Sequence, residues 1–317
     1  MKAAIVNAAG EAPVYADFAQ PEAADGLRVV HVTASSLSHV TRSRAAGSHY
    51  SSTGAFPFVA GVDGTGRLDY GRRVYFFKPR APFGAMAEQS LVADSHCIAL
   101  PDTLDDVTAA ALAIPGMSSW AALVERARFV AGETVLVNGA TGTSGRLAVQ
   151  IARHLGAARI VATGRNAAAL EALKQAGADV TISLEQSEAD MNRAFEAAFR
   201  DGVDVVLDYL WGASARALLI AAAKASADDR PVRVVQIGAI SGAEMALPSA
   251  VLRSADITLL GSGIGSVPLA RLFATLKAVF DAAGPAGLRV EAKAVPLAEL
   301  AVHWGCADSA CRTVFVP

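Results

Sequence analysis

Residues 134–153, TVLVNGATGTSGRLAVQIAR, carry the densest chemical signal in the chain. An apolar run of strand length enters Gly139, Ala140, Thr141, Gly142, Thr143, Ser144 and Gly145, and an amphipathic helical stretch leaves them. That order supplies what a nucleotide pyrophosphate needs. A glycine at 142 lets the backbone approach an anion, and a glycine at 145 lets the helix pack against the strand. The helix start offers N–H groups and partial positive charge. Ala140 stands where the strict dinucleotide fingerprint has its first glycine. The strand before the loop and the helix after it give the context that a Gly-rich loop alone lacks.

The next strand-like run, RIVATGR, leads into Thr163, Gly164, Arg165 and Asn166, where the ribose of a dinucleotide would lie. NAD enzymes place Asp or Glu here to accept hydrogen bonds from the ribose hydroxyls. This segment has no acid. Arg165 stands 20 positions beyond Gly145 (165 − 145), and its planar fork suits a 2′-phosphate. These residues predict NADPH in preference to NADH. The turns after VDVVLDYL and VRVVQIG, the second running through Gly238, Ala239 and Ile240, are predicted at the same carboxyl edge.

The elements that must position these residues can be read from texture. From about residue 130, strand-length apolar runs alternate with Ala-rich helical stretches, which predicts βαβ units on a parallel sheet buried on both faces. Gly156 and Gly177 are the expected helix stops. Residues before about 115 read as short β pieces between turns, and β texture returns in RVEAKAVPL and RTVFVP. The predicted fold class is α/β: a Rossmann doubly wound parallel sheet (116–264) inserted in a β-rich domain (1–115 and 265–317).

Composition narrows the function classes. Of 317 residues, 53% are hydrophobic and 18% charged, and the mean hydropathy is +0.36, which argues against disorder. A net charge of −2 gives no basic face for nucleic acid. No run of 18 uncharged apolar residues is present, so no membrane span is predicted, and the start lacks a signal-peptide core. Cys97, Cys306 and Cys311 form neither a CxxC pair nor an even-numbered framework. A soluble cytoplasmic protein is the expectation.

Taken with the loop, the segments ASSLSHVTRSRAAG, FPFVAGVDGTG, GRRVYFF and FGAMAEQSLVADSHCIALPDTL make nearly the whole chain resemble the medium-chain dehydrogenase/reductase superfamily. Within it the chain is similar to the zinc-independent quinone oxidoreductase branch. The resemblance implies a GroES-like domain around the Rossmann domain, NADPH as cofactor, and a homodimer. Zinc-dependent relatives carry a Cys and then a His-Glu pair at positions that here read Ser38, Val62 and Asp63, and the Cys-rich lobe is absent. By the same resemblance Ser38 and Tyr50 are expected at the catalytic site. The Tyr50 hydroxyl would serve as hydrogen-bond or proton donor to a carbonyl oxygen, or the ring would simply pack in its loop. Ser118 falls where relatives place a Thr against the nicotinamide.

The expected reaction is hydride transfer from NADPH to a small-molecule quinone or α,β-unsaturated carbonyl. The competing readings are a zinc-free alcohol or carbonyl dehydrogenase and a non-catalytic NADPH-sensing module.

Overall fold

The computed structural model describes every residue except 53, 228, 229 and 307–310. In chain order the first elements are β1 (Lys2–Val6), β2 (Val14–Asp17), β3 (Leu27–Ser36), α1 (His39–Ala45), β4 (Phe58–Val59), β5 (Asp63–Leu68), β6 (Arg73–Phe77), β7 (Gln89–Ala93), β8 (Cys97–Ala99) and α2 (Asp106–Ala121). The central group is β9 (Thr134–Asn138), α3 (Thr143–His154), β10 (Arg159–Gly164), α4 (Ala167–Gln175), β11 (Val180–Ser183), α5 (Glu188–Arg200), β12 (Val205–Asp208), α6 (Gly212–Ala225), β13 (Val232–Gln236), α7 (Val251–Ser254) and β14 (Ile257–Gly261). The chain closes with α8 (Leu269–Ala283), β15 (Ala292–Pro296), α9 (Leu300–His303) and β16 (Arg312–Val316).

Two compact units result: Met1–Ile114 with Leu276–Pro317, and Pro115–Thr275. The first carries the sheets β2-β1-β4 and β15-β16-β3-β5-β6-β8, with β7 also pairing β3. The second is a six-stranded parallel sheet in the order β11-β10-β9-β12-β13-β14. This is the doubly wound order, with its reversal between β9 and β12, where such sheets bind ligands beyond the strand ends. Every residue of β9 is buried, as a strand covered on both faces requires. After α3 and α4 the chain turns through Gly156 and Gly177, whose φ angles of 93° and 108° lie in the region that glycine tolerates best.

The later seam departs from the sequence expectation. It falls inside α8, between Thr275 and Leu276, and not at 264/265. The helix α8 runs unbroken across it. Its second half belongs to the first unit, where Phe280 packs edge-on to Tyr75 with ring centroids 5.1 Å apart.

One helical stretch, Asp106–Arg126, is long and apolar enough by composition to cross a membrane, with mean hydropathy 1.6. Of its most apolar 18 residues, 72% are buried inside the protein, and Ala109–Ala113 are fully enclosed. Apolarity on all sides is what a core helix of this kind needs.

Candidate functional site

The loop between β9 and α3 is built on backbone contacts. Gly139 turns at φ 88°, and its N–H donates to Thr163 Oγ1 at 3.2 Å while Ala140 N–H donates to Thr163 O at 2.7 Å. Gly142 caps α3 with no side-chain hydrogen bond. A Cβ there would meet nothing closer than Gly139 O at 3.9 Å, so the loop is open at this point. At Gly145, by contrast, a Cβ would lie 2.3 Å from Gly139 O and 2.6 Å from Ala140 Cα. Residues 141–144 are half-buried, and the helix start behind them presents N–H groups and the positive end of its dipole.

A buried polar network, which the sequence reading overlooked, fixes this loop from below. Asn138 Nδ2 donates to Asp208 Oδ1 (2.8 Å) and to Ser214 Oγ (3.0 Å), and Thr163 Oγ1 donates to Asn138 Oδ1 (2.7 Å). Asp208 also accepts from the backbone N–H groups of Leu210 and Trp211. Burial raises the Asp208 carboxyl above its ordinary value, and the Asn138 amide and those two N–H groups oppose the rise. Its sequence signal was a polar residue at the last position of β9 and β12 and at the last but one of β10. Asp208 is therefore a positioning residue.

Thr163, Gly164, Arg165 and Asn166 take different parts. Thr163 is enclosed in the network, and Asn166 caps α4 by accepting from Ala169 N–H at 2.9 Å. Gly164 lies so close to the loop that a Cβ would be 2.3 Å from Thr141 Cγ2. Arg165 is exposed and makes no hydrogen bond or ion pair with any described residue.

At the far end of the strand edge, Gly238 N–H donates to Asp208 O, and a Cβ at 238 would lie 2.6 Å from Tyr209 O. Ala239 and Ile240 follow, with Ile240 exposed. The Ser118 and Ser119 hydroxyls donate to the carbonyl of Pro115, at 2.9 and 2.8 Å, inside α2. Ser119 also meets the Tyr209 hydroxyl at 2.8 Å. Burial pushes the Tyr209 phenol up to about 12, which keeps it a hydrogen-bond donor near neutral pH.

In the first unit, Ser38 and Tyr50 sit at opposite ends of one short segment. The Ser38 hydroxyl is buried and caps α1, accepting from Thr41 N–H at 3.1 Å and meeting Thr41 Oγ1 at 3.0 Å. Those bonds occupy it, so its place is to hold α1 rather than to touch an acceptor. Tyr50 lies in the turn beyond α1, 69% exposed, with its ring 4.1 Å from that of His49.

These residues do not fit a zinc ion. Ser38 is taken by its helix, Val62 offers no ligand, and Asp63 is fully enclosed, with Oδ2 accepting from Tyr75 at 3.1 Å and Oδ1 without a partner. Among the described residues no group of three His, Cys, Asp or Glu could hold a metal.

Asp63 has a thermodynamic consequence of its own. Burial, opposed by the Tyr75 hydroxyl and Arg312, raises its carboxyl from 3.8 to about 7. The folded state keeps a proton that the unfolded chain releases. Its contribution is thus fully present below about pH 4 and is lost as pH climbs through about 7. At roughly 1.4 kcal/mol per unit, the loss is at most about 4 kcal/mol. Asp63→Asn is expected to remove that slope, so that in urea unfolding wild type falls further behind the variant at pH 8 than at pH 5. An equal difference at both would contradict this account.

The comparisons agree with this architecture. The family model described as zinc-binding dehydrogenase matches residues 145–284. Quinone oxidoreductase of Rattus norvegicus is 34% identical over 171 residues, 51% of this chain and 51% of that protein. The chain thus matches about half the length of that relative. A probable NADPH-dependent quinone reductase of Emericella nidulans is 28% identical across 96% of both chains. Among solved structures, quinone oxidoreductase from Thermus thermophilus, determined alone and with NADPH, superposes with a TM-score of 0.81 at 25% identity over 100% of both chains. A probable oxidoreductase from Mycobacterium abscessus gives a TM-score of 0.79 at 28% identity, over 100% of this chain and 99% of that one. The chain is thus similar to the quinone oxidoreductase branch of the medium-chain dehydrogenase/reductase superfamily.

Proposed function

We propose that this protein is an NADPH-dependent oxidoreductase that works without a metal and reduces a quinone or an α,β-unsaturated carbonyl. The observation that carries the reading is the open Gly-rich loop lying directly on the end of β10, where an unpaired arginine follows and no acid stands. The relatives from Emericella nidulans and Thermus thermophilus support it, the first by its NADPH-dependent quinone reductase name and the second by its NADPH complex.

Bound NADPH supplies the hydride. Residues 139–145 hold the pyrophosphate on backbone N–H groups, and Arg165 takes the 2′-phosphate. Ser118, Gly238, Ala239 and Ile240 border the nicotinamide half, with the Tyr209–Ser119 pair behind them. Tyr50 donates a hydrogen bond to the acceptor oxygen as negative charge builds there, and Ser38 positions α1 and with it the turn that carries Tyr50. The rest of the acceleration is placement of donor and acceptor carbons.

Loss of reduced-nicotinamide absorbance with 1,4-benzoquinone and with a short enone tests the activity, and product analysis tests the bond reduced. A saturated ketone from the enone is the expected product. An allylic alcohol would mean carbonyl reduction, and no turnover by a protein that binds NADPH would leave only a sensor.

The homodimer that the family resemblance implies has a suitable edge in β14. Among the described residues this strand pairs only β13, and Leu259 and nearby Leu252 are exposed. Light scattering is expected to give twice the 32.6 kDa chain mass, falling to one chain for Leu259→Glu. A wild-type monomer would contradict the assignment. We place the protein in the cytoplasm, consistent with three cysteines that form no disulfide.

A further inference from the structure

Arg146 follows the last loop glycine and reaches backwards. Its Nε donates to the Thr141 carbonyl at 3.0 Å, and no described residue takes its two terminal nitrogens. The side chain is half-buried, so this one bond sets the guanidinium against the loop. Thr141 is also the residue on which Gly164 packs, and Arg165 comes next in the chain. Thr141 thus links the two arginines: its carbonyl holds Arg146, and its side chain meets Gly164, the residue before Arg165. Among the described residues no carboxylate pairs with either guanidinium. Glu185 follows Leu184, whose N–H bonds to Gly164 O at 2.8 Å, but it pairs with neither arginine. Like charges gathered without a counter-charge favour a bound anion.

We propose that Arg146 and Arg165 together clamp the 2′-phosphate, with Arg146 pre-set by Thr141 and Arg165 closing from the exposed side. This rests on the NADPH reading above and assigns the phosphate a second, internal ligand. The residue that holds Arg146, Thr141, packs against Gly164 at the end of β10, whereas the pyrophosphate would be served by backbone N–H groups at the start of α3. A guanidinium held by one nitrogen keeps an N–H fork for phosphate oxygens and loses less freedom on binding.

Calorimetry with 2′,5′-ADP and 5′-AMP, which differ only in the 2′-phosphate, tests the clamp on wild type, Arg146→Ala, Arg146→Met, Arg165→Ala and the double alanine variant. Each single variant is expected to bind 2′,5′-ADP about 10- to 100-fold more weakly and to hold 5′-AMP within about two-fold. Binding to one phosphate also makes the double variant lose less than the product of the single losses. Retained NADH binding, followed by fluorescence, reports an intact loop, and Arg146→Met keeps the aliphatic stem. Equal losses for both nucleotides, or for NADPH and NADH alike, would assign Arg146 to the pyrophosphate or the loop and overturn the clamp. An unchanged affinity in the Arg146 variants would overturn it too. If wild type binds neither nucleotide, the cofactor reading itself fails. If it binds both equally well, the nucleotide site stands and the clamp falls.

Discussion

Gly145→Val is expected to abolish NADPH binding and to lower stability. The β-carbon alone would sit 2.3 Å from Gly139 O and 2.6 Å from Ala140 Cα, both backbone atoms that cannot swing aside. The start of α3 must then lift from β9, which withdraws the N–H groups from the pyrophosphate. Overpacking of this kind costs about 1–3 kcal/mol in folding, and more where backbone has to move. The affinity loss is larger, because every phosphate contact depends on the same turn. Gly142→Ala is the control. Its β-carbon has room within the protein, at 3.9 Å from the nearest atom, so the fold should persist and a loss of affinity would report contact with the cofactor itself. Fluorescence titration and thermal unfolding of both variants decide the matter. Normal NADPH affinity in Gly145→Val would contradict the loop assignment.

Arg165→Ala is expected to lower kcat/KM with NADPH by about 10- to 100-fold, the worth of one charge-assisted phosphate contact, and to leave NADH turnover unchanged. Among the described residues Arg165 has no partner to lose, so truncating it should not disturb the fold. That separates it from Asn166, which caps α4, and from Thr163, which belongs to the buried network. A parallel fall with NADH would mean that the side chain serves the loop and not the 2′-phosphate.

The fold was legible because its signals are local and repeated. Strand runs such as TVLVN and RIVATG have apolar centres that are buried on both faces, and Gly156 and Gly177 punctuate the helices. The phosphate loop was legible because glycine is demanded there by backbone contact, at Gly145 above all. Other features depend on partners distant in sequence. Thr163 was read as a ribose-side residue, and its bond to Asn138 and, through Asn138, its link to Asp208 depend on the parallel register of three strands, with Ser214 added from α6. Arg146 read as one more helix residue, since its bond to Thr141 runs backwards along the chain. Ser38 was noticed for the metal ligand it replaces, and its cap on α1 shows a nearer reason for a hydroxyl there. The seam in α8 was hidden because one continuous helix serves both units.

The most direct test of the central claim is steady-state oxidation of NADPH by 1,4-benzoquinone, run beside NADH with metal-chelated protein. The account predicts saturable turnover that strongly favours NADPH and survives chelation. Turnover that prefers NADH or vanishes on chelation, or NADPH binding with no acceptor reduced, would contradict it.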